Sequence, residues 1–271
     1  MQRLQIVKGF LILTMLTMNI SAFSQNPKRT ETVELNGLQT YFEVYGNGTK
    51  PLFLLHGFTQ SSKSWIPFIP GYSKEFEIYL VDLMGHGKSS PFTGTVSIKS
   101  AAQNLKHLIE YLELDNIQAI GHSYGGEVLF QLALINPEMI ESMVINGSCG
   151  SWNAQDFPEF VKYLSYSNIE NLTWMHEQQV NEERIRNILD QVPNYSVEVN
   201  EAELKSIKTR TLIVVGDNDD ATPLECVVKA KLNMPNAFLW IVPNTGHRSH
   251  QDKNKDLFIK LSTDFLTRND W

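Results

Sequence analysis

Short, nearly continuous apolar runs recur along this chain, and they end in or just before Gly, Asp, Asn or His. They are Pro51 to Leu55, Glu77 to Asp82, Ile117 to Gly121, Ser142 to Ile145, Thr211 to Gly216 and Phe238 to Val242. Runs of this length without polar alternation predict strands buried on both faces. Between most of them apolar residues recur at helical spacing, predicting helices over Ile98 to Leu112, Glu127 to Asn136, Leu224 to Met234 and Lys255 to Thr267. Ahead of this series, Thr32 to Leu35 and Gln39 to Tyr45 flank Asn36-Gly37 and predict a hairpin. Strands alternating with helices predict an α/β fold, with an eight-stranded, mostly parallel sheet and helices on both faces. Ligands of such sheets bind at the carboxyl ends of the strands.

The alternation stops between about Gly150 and Ser206. No strand signal occurs there, Asp156-Phe157-Pro158 is a helix start, and Phe160, Val161, Leu164, Ile185, Ile188, Leu189 and Val192 form apolar faces at helical spacing. A small helical cap inserted between two sheet strands is expected, over about residues 150–206. No internal repeat or interdomain linker is visible.

The N-terminus has its own pattern. Arg3 and Lys8 precede a largely apolar stretch, Phe10 to Ile20, and Ala22 and Ser24 supply small residues at its end. This is the form of a secretory signal peptide over residues 1–24, cut before Gln25, and it predicts a periplasmic or secreted protein. Loss of those two positive charges moves the net charge from −7 to −9. An acidic surface with no basic cluster argues against nucleic acid as a partner, and no stable membrane association is expected. Cys149 and Cys226 are the only cysteines. In an exported protein they could pair, but a core this large does not need a bridge, and two buried free thiols are slightly favoured.

One pentapeptide carries chemistry. Gly121-His122-Ser123-Tyr124-Gly125 is a G-x-S-x-G run, which holds a serine on a sharp turn between strand and helix. The pattern alone is weak, but the strand-like run before it and the helical run behind it supply the context it needs. A serine hydroxyl needs a base, and the base needs an orienting carboxylate. Downstream, Asp217-Asn218-Asp219-Asp220 follows one predicted strand and Gly246-His247 follows the next. Serine, aspartate and histidine in that order match the triad order tied to this turn. Asp217 and Asp220 rival Asp219, and His250 rivals His247. His247 and His250 have no third ligand spaced near them, so no metal is expected. Gly87-Lys88-Ser89 ends like a phosphate loop, but the required first glycine falls on Asp82.

From about Thr30 to Leu266 the chain resembles the α/β-hydrolase family, of the compact type with a short cap. The resemblance rests on His56-Gly57-Phe58, Asp82-Leu83-Met84-Gly85-His86-Gly87-Lys88-Ser89, Gly121 to Gly126, Gly216-Asp217-Asn218-Asp219-Asp220-Ala221-Thr222-Pro223, and Asn244-Thr245-Gly246-His247. It implies Ser123 as nucleophile, His247 as general base and Asp219 as the acid. The oxyanion hole needs two backbone N–H groups, and these are expected from Phe58 and Tyr124. His56 is expected to hold its loop, His86 to belong to a structural turn, and His122 to pack beside the nucleophile. Trp65, Trp152, Phe160 and Trp174 are candidates for the pocket lining. With Phe157, Tyr163, Tyr166 and Met175, the cap members of this set either suit an apolar ligand or simply seat the cap.

The resemblance implies acyl transfer on a small-molecule ester or acyl substrate, with no cofactor. The leading expectation is an exported carboxylesterase. A carbon–carbon bond hydrolase or lyase using the same triad is the alternative. His56-Gly57-Phe58-Thr59 with Ser61-Ser62-Lys63-Ser64-Trp65 is similar to menaquinone-pathway lyases, although a signal peptide argues against that cytoplasmic pathway. A non-catalytic receptor for a small ligand is a third reading.

Overall fold

The computed structural model describes residues 26–268 and Asp270. The expected signal peptide lies outside them. Eight strands form the main sheet: β1 (Arg29–Leu35), β2 (Leu38–Tyr45), β3 (Lys50–Leu55), β4 (Phe76–Val81), β5 (Ile117–His122), β6 (Ile140–Asn146), β9 (Arg210–Gly216) and β10 (Ala237–Val242). Two short strands, β7 (Ser151–Asn153) and β8 (Ser196–Glu198), pair separately. The main sheet runs β1-β2-β4-β3-β5-β6-β9-β10. β2 pairs antiparallel with β1 and β4, and every other pairing is parallel.

The apolar runs are continuous because both faces of the strands are covered. On β3, Phe53 and Leu55 join one core while Leu52 and Leu54 join the other; on β9, Ile213 and Val215 oppose Leu212 and Val214 in the same way. The first core takes in helices α2 (Ile98–Tyr111), α3 (Tyr124–Ile135) and α8 (Leu224–Asn233). The second takes in α1 (Ile69–Tyr72), α9 (Lys255–Thr267) and the 3₁₀ turn Ser62–Phe68. Side chains alternate across a strand, so each apolar run feeds two cores at once.

The cap lies between β6 and β9 and contains α4 (Pro158–Tyr163), α5 (Trp174–Gln178), α6 (Glu182–Leu189) and α7 (Glu201–Ser206). It is not purely helical, as the sequence pattern suggested: Ser151–Asn153 pairs antiparallel with Ser196–Glu198. Three-residue strands are too short to show alternation, so no sequence signal marked them. Leu172, Met175, Ile185 and Ile188 of the cap are fully buried in the first core.

Polar side chains latch the cap to the loops beneath it. Gln179 receives the Gly87 N–H at 2.8 Å and donates to the carbonyls of Thr59 (3.0 Å) and Gln60 (2.9 Å). Gln178 receives the Ser61 N–H and hydroxyl, and Arg184 donates to the carbonyls of Gly87 and Ser89. Asn187 pairs with both the N–H and the C=O of Phe92, and Gln191 receives the Val96 N–H.

The cysteines correct the sequence expectation. Cys149 and Cys226 form a disulfide, with Cα atoms 5.8 Å apart and a sequence separation of 77. It ties the segment after β6 to α8. Spacing along the chain carries no information about whether two distant cysteines meet, and here the fold brings them into bridging range.

Candidate active site

Ser123 sits between the end of β5 and the start of α3, with φ 50° and ψ −114°. A non-glycine residue at positive φ is strained, and such strain persists only where the surroundings enforce it. The flanking glycines show why no other residue fits. A Cβ on Gly121 would lie 2.5 Å from the Gly125 carbonyl, and one on Gly125 would lie 2.4 Å from the Leu55 oxygen. Helix α3 thus starts at Tyr124, nearly a turn before the helical spacing of apolar side chains becomes visible at Glu127.

The acid and base come from the loops after β9 and β10. His247 Nδ1 lies 3.0 Å from both Asp219 carboxylate oxygens. The Asp219 side chain is 1% exposed and also accepts the N–H groups of Ala221 (3.0 Å) and Thr222 (2.9 Å). Asp217 and Asp220 are exposed, and Asp217 instead accepts the Thr245 N–H at 3.1 Å. Asp219 is the acid that meets His247. A carboxylate on Nδ1 holds the proton there and leaves Nε2 as the acceptor. Ser123 and His247 line the same two pockets, and no hydrogen bond engages the Ser123 hydroxyl among the described residues. Such bonds commonly close only when substrate binds.

His250 is buried and removed from this role. Burial, followed by the neighbouring His247 charge, pushes it down to about 3, and Asn146 Nδ2 donates to its Nδ1 at 3.0 Å. The same amide donates to His122 Nδ1, also at 3.0 Å, and burial holds His122 well below the ordinary histidine range. These two rings stay neutral beside His247. Among the described residues, no group of three or more His, Cys, Asp or Glu side chains is arranged to hold a metal ion.

The loop after β3 carries Phe58. His56 is fully buried; its Nε2 accepts the Leu83 N–H at 3.0 Å, so its Nδ1 donates to the Gly57 carbonyl at 2.9 Å. His86 accepts the Thr59 N–H through Nε2. Burial lowers both histidines, which suits neutral rings that act as struts. Among the described residues, neither the Phe58 nor the Tyr124 N–H has a hydrogen-bond partner. The first N–H groups of a helix have none within it, so Tyr124 is free to donate outward.

Two connected hollows meet at Ser123. The smaller, about 530 Å³ including its mouth, is lined by Phe58, Glu127, Trp152, Phe160, Val192 and Tyr195 among others. The larger is an open cleft that adds Tyr163, Trp174, Lys63, Arg248 and Lys255. Trp152 and Phe160 line the first and Phe160 and Trp174 the second. Trp65 lines neither. It is 1% exposed, with ring centroids 4.9 Å from Phe68 and 5.2 Å from His250, in the core on the other side of the sheet. Its place in the 3₁₀ turn Ser62–Phe68 points it away from the cleft. Phe157 stacks on Trp152 at 5.0 Å and Met175 is buried, so these two build the cap.

Sequence reasoning passed over Glu127 and Gln179. Glu127 is buried in the smaller pocket, and Gln179 anchors the Phe58 loop. Only the oddity of a charged residue on a mostly apolar helix marked the first; nothing marked the second.

A sheet of this topology, with a serine turn between β5 and α3 and an Asp–His pair on the next loops, defines a hydrolase architecture. The chain has the α/β-hydrolase fold, and the family description, alpha/beta hydrolase fold, matches residues 50–168. It is 26% identical over 264 residues to a 2-hydroxy-6-oxononadienedioate/2-hydroxy-6-oxononatrienedioate hydrolase of Dechloromonas aromatica, covering 85% of this chain and 91% of that one. In fold it is similar to the naproxen esterase of Bacillus subtilis (TM-score 0.71, 22% identity, covering 90% and 94% of the two chains). It is likewise similar to the enol-lactonase of Burkholderia xenovorans (TM-score 0.77, 17% identity, covering 88% and 100%).

Proposed function

We propose that this protein is an exported serine hydrolase that cleaves small or medium carboxylic esters through an acyl-enzyme on Ser123. The observation that carries the reading is the Asp219–His247 pair, whose imidazole lines the same pockets as a serine held at positive φ. His247 takes the Ser123 proton as the hydroxyl attacks the substrate carbonyl. The tetrahedral oxyanion is held by the N–H groups of Phe58 and Tyr124. His247 then protonates the leaving alcohol, and the same base activates water to clear the acyl group. Likeness in fold to an esterase and a lactonase agrees with this reading. The Cys149–Cys226 bridge supports an oxidising compartment.

A second reading follows from the relatives. A hydrolase of a 2-hydroxy-6-oxo dienedioate has no ester bond to cleave, so its reaction breaks a carbon–carbon bond. Such a dioate needs cations for its carboxylates; in this chain Lys63, Arg248 and Lys255 line the open cleft, whereas no Lys or Arg lines the smaller pocket.

Turnover of short p-nitrophenyl esters, abolished by Ser123→Ala and by His247→Ala, is the expected result. A folded protein that cleaves a dienedioate but no ester would transfer the reading to the carbon–carbon class. Failure to react with a fluorophosphonate probe would remove Ser123 as nucleophile in either class. Export is checked by the N-terminus of the protein purified from its host, expected at Gln25.

A further inference from the structure

Glu127 stands one helical turn after Ser123 on α3 and is 4% exposed within the smaller pocket. Its Oε1 accepts the Ser148 hydroxyl at 2.7 Å, while Oε2 has no hydrogen-bond partner. The amides of Cys149 and Gly150 lie near enough to favour the ionised carboxylate, but neither closes a bond on that oxygen. Tyr195 lines the same pocket at 7% exposure, and its hydroxyl is unpartnered among the described residues. Tyr124, with its ring 6.0 Å from Tyr195, buries a second unpartnered hydroxyl. Leaving a buried polar atom unsatisfied costs about 1–3 kcal/mol, so Glu127 Oε2 and the Tyr124 hydroxyl beside the unengaged Tyr195 hydroxyl are an unusual arrangement in a merely structural core.

We propose that the smaller pocket is an acyl-chain subsite selecting a substrate that carries an uncharged hydroxyl, with Glu127 and Tyr195 as the groups that bind it. The inference rests on the acyl-enzyme chemistry at Ser123 proposed above. The absence of Lys or Arg from the lining disfavours an anionic chain, and a buried glutamate repels one. A hydroxyl both donates and accepts, so it satisfies Glu127 in either protonation state, and Tyr195 in either orientation. Burial raises Glu127 to about 7, which makes both states accessible near neutrality. Phe58, Trp152, Phe160 and Val192 supply the apolar walls for the carbon chain. The open cleft is left for the alcohol portion, which must depart first. Four residues of helix advance about 6 Å, which places the hydroxyl some three to five carbons beyond the reacting carbonyl.

The test compares kcat/KM for p-nitrophenyl esters of straight-chain acids, each with and without a hydroxyl at C3 to C6. Wild type, Glu127→Gln, Glu127→Leu and Tyr195→Phe are measured. Wild type is expected to favour at least one hydroxy ester by about tenfold, the ratio set by one satisfied hydrogen bond. Glu127→Gln should keep most of that preference, and Tyr195→Phe should weaken it. Glu127→Leu should cancel it, lowering kcat/KM for the hydroxy ester about tenfold more than for the plain ester. Wild-type turnover of plain esters with no preference at any position overturns the proposal and leaves the esterase reading intact. An equal loss on both esters in Glu127→Leu also overturns it, since Glu127 would then only brace Ser148. Should no ester be turned over, calorimetric binding of paired methyl ketones, with and without the hydroxyl, decides the subsite independently. Tighter binding of the hydroxy ketone that is lost in Glu127→Leu supports it, and equal binding overturns it.

Discussion

Asp217 Oδ1 accepts the backbone N–H of Thr245, joining the loop that carries the acid to the loop that carries the base. Around this bond, Asn218 N–H donates to the Thr245 carbonyl and Asp217 N–H to that of Val242. A Cβ on Gly216 would lie 2.0 Å from the Thr245 oxygen, so the two loops pass as closely as backbone allows. The N–H groups of Asn244 and Thr245 hold the Asp217 carboxyl below the usual carboxylate range. Its work is to fix the spacing of the loops, while Asp219 meets the imidazole.

The two acids should therefore separate in kinetics. Asp219→Asn presents an amide to His247 Nδ1 and favours the wrong tautomer; kcat for ester hydrolysis is expected to fall by about 10⁴. Asp217→Asn should cost less than about tenfold, since it perturbs one exposed hydrogen bond. Steady-state rates on one p-nitrophenyl ester check both.

Gly125→Ala tests the tight turn. The new methyl would meet the Leu55 carbonyl at 2.4 Å, and main chain cannot step aside as a flexible side chain does. A loss of about 1–3 kcal/mol in denaturant unfolding is expected, with fluorophosphonate labelling of Ser123 slowed in the folded fraction.

The disulfide closes a loop of 77 residues in sequence separation. Its removal, as Cys149→Ser with Cys226→Ser, should cost about 2–5 kcal/mol by relaxing the unfolded chain's constraint. Urea unfolding of wild type with and without dithiothreitol should give the same difference. Because Cys149 also lines the smaller pocket, ester kinetics should change in parallel.

Glu127 sets a pH dependence of stability. Burial raises its folded-state value to about 7 from an ordinary 4.5, so the folded protein holds the proton more tightly than the unfolded chain does. That contribution is complete below pH 4.5 and is lost as pH rises through 7, up to about 3 kcal/mol. Glu127→Gln should gain on wild type across that window and run parallel to it above. Urea unfolding at a series of pH values reads the difference.

The strands were legible because each apolar run is buried on both faces, and the glycines of the Ser123 turn were legible because only they fit. The start of α3 was not, because Tyr124, Gly125 and Gly126 have no helical pattern of their own and are wound by the turn before them. Order along the chain limited the acid to a short cluster, and only packing distinguished Asp219 from Asp217. Trp65 misled because an aromatic after a loop that lines the site can point through to the other face of the sheet, as this one does. The cysteine pair, the three-residue strands and Gln179 depend on partners 75 or more residues away or on elements too short for periodicity.

Beyond its apolar seat in the core, the cap is latched by amide and guanidinium groups that grip peptide N–H and C=O groups of the loops below, among them those of Thr59, Gln60, Gly87, Ser89, Phe92 and Val96. Every amino acid offers the same peptide carbonyl. Side chains in those loops can therefore drift over evolutionary time without unfastening the cap, and the cap's own pocket-facing residues can drift independently. Such an attachment lets a lineage change what it hydrolyses while its roof stays in place.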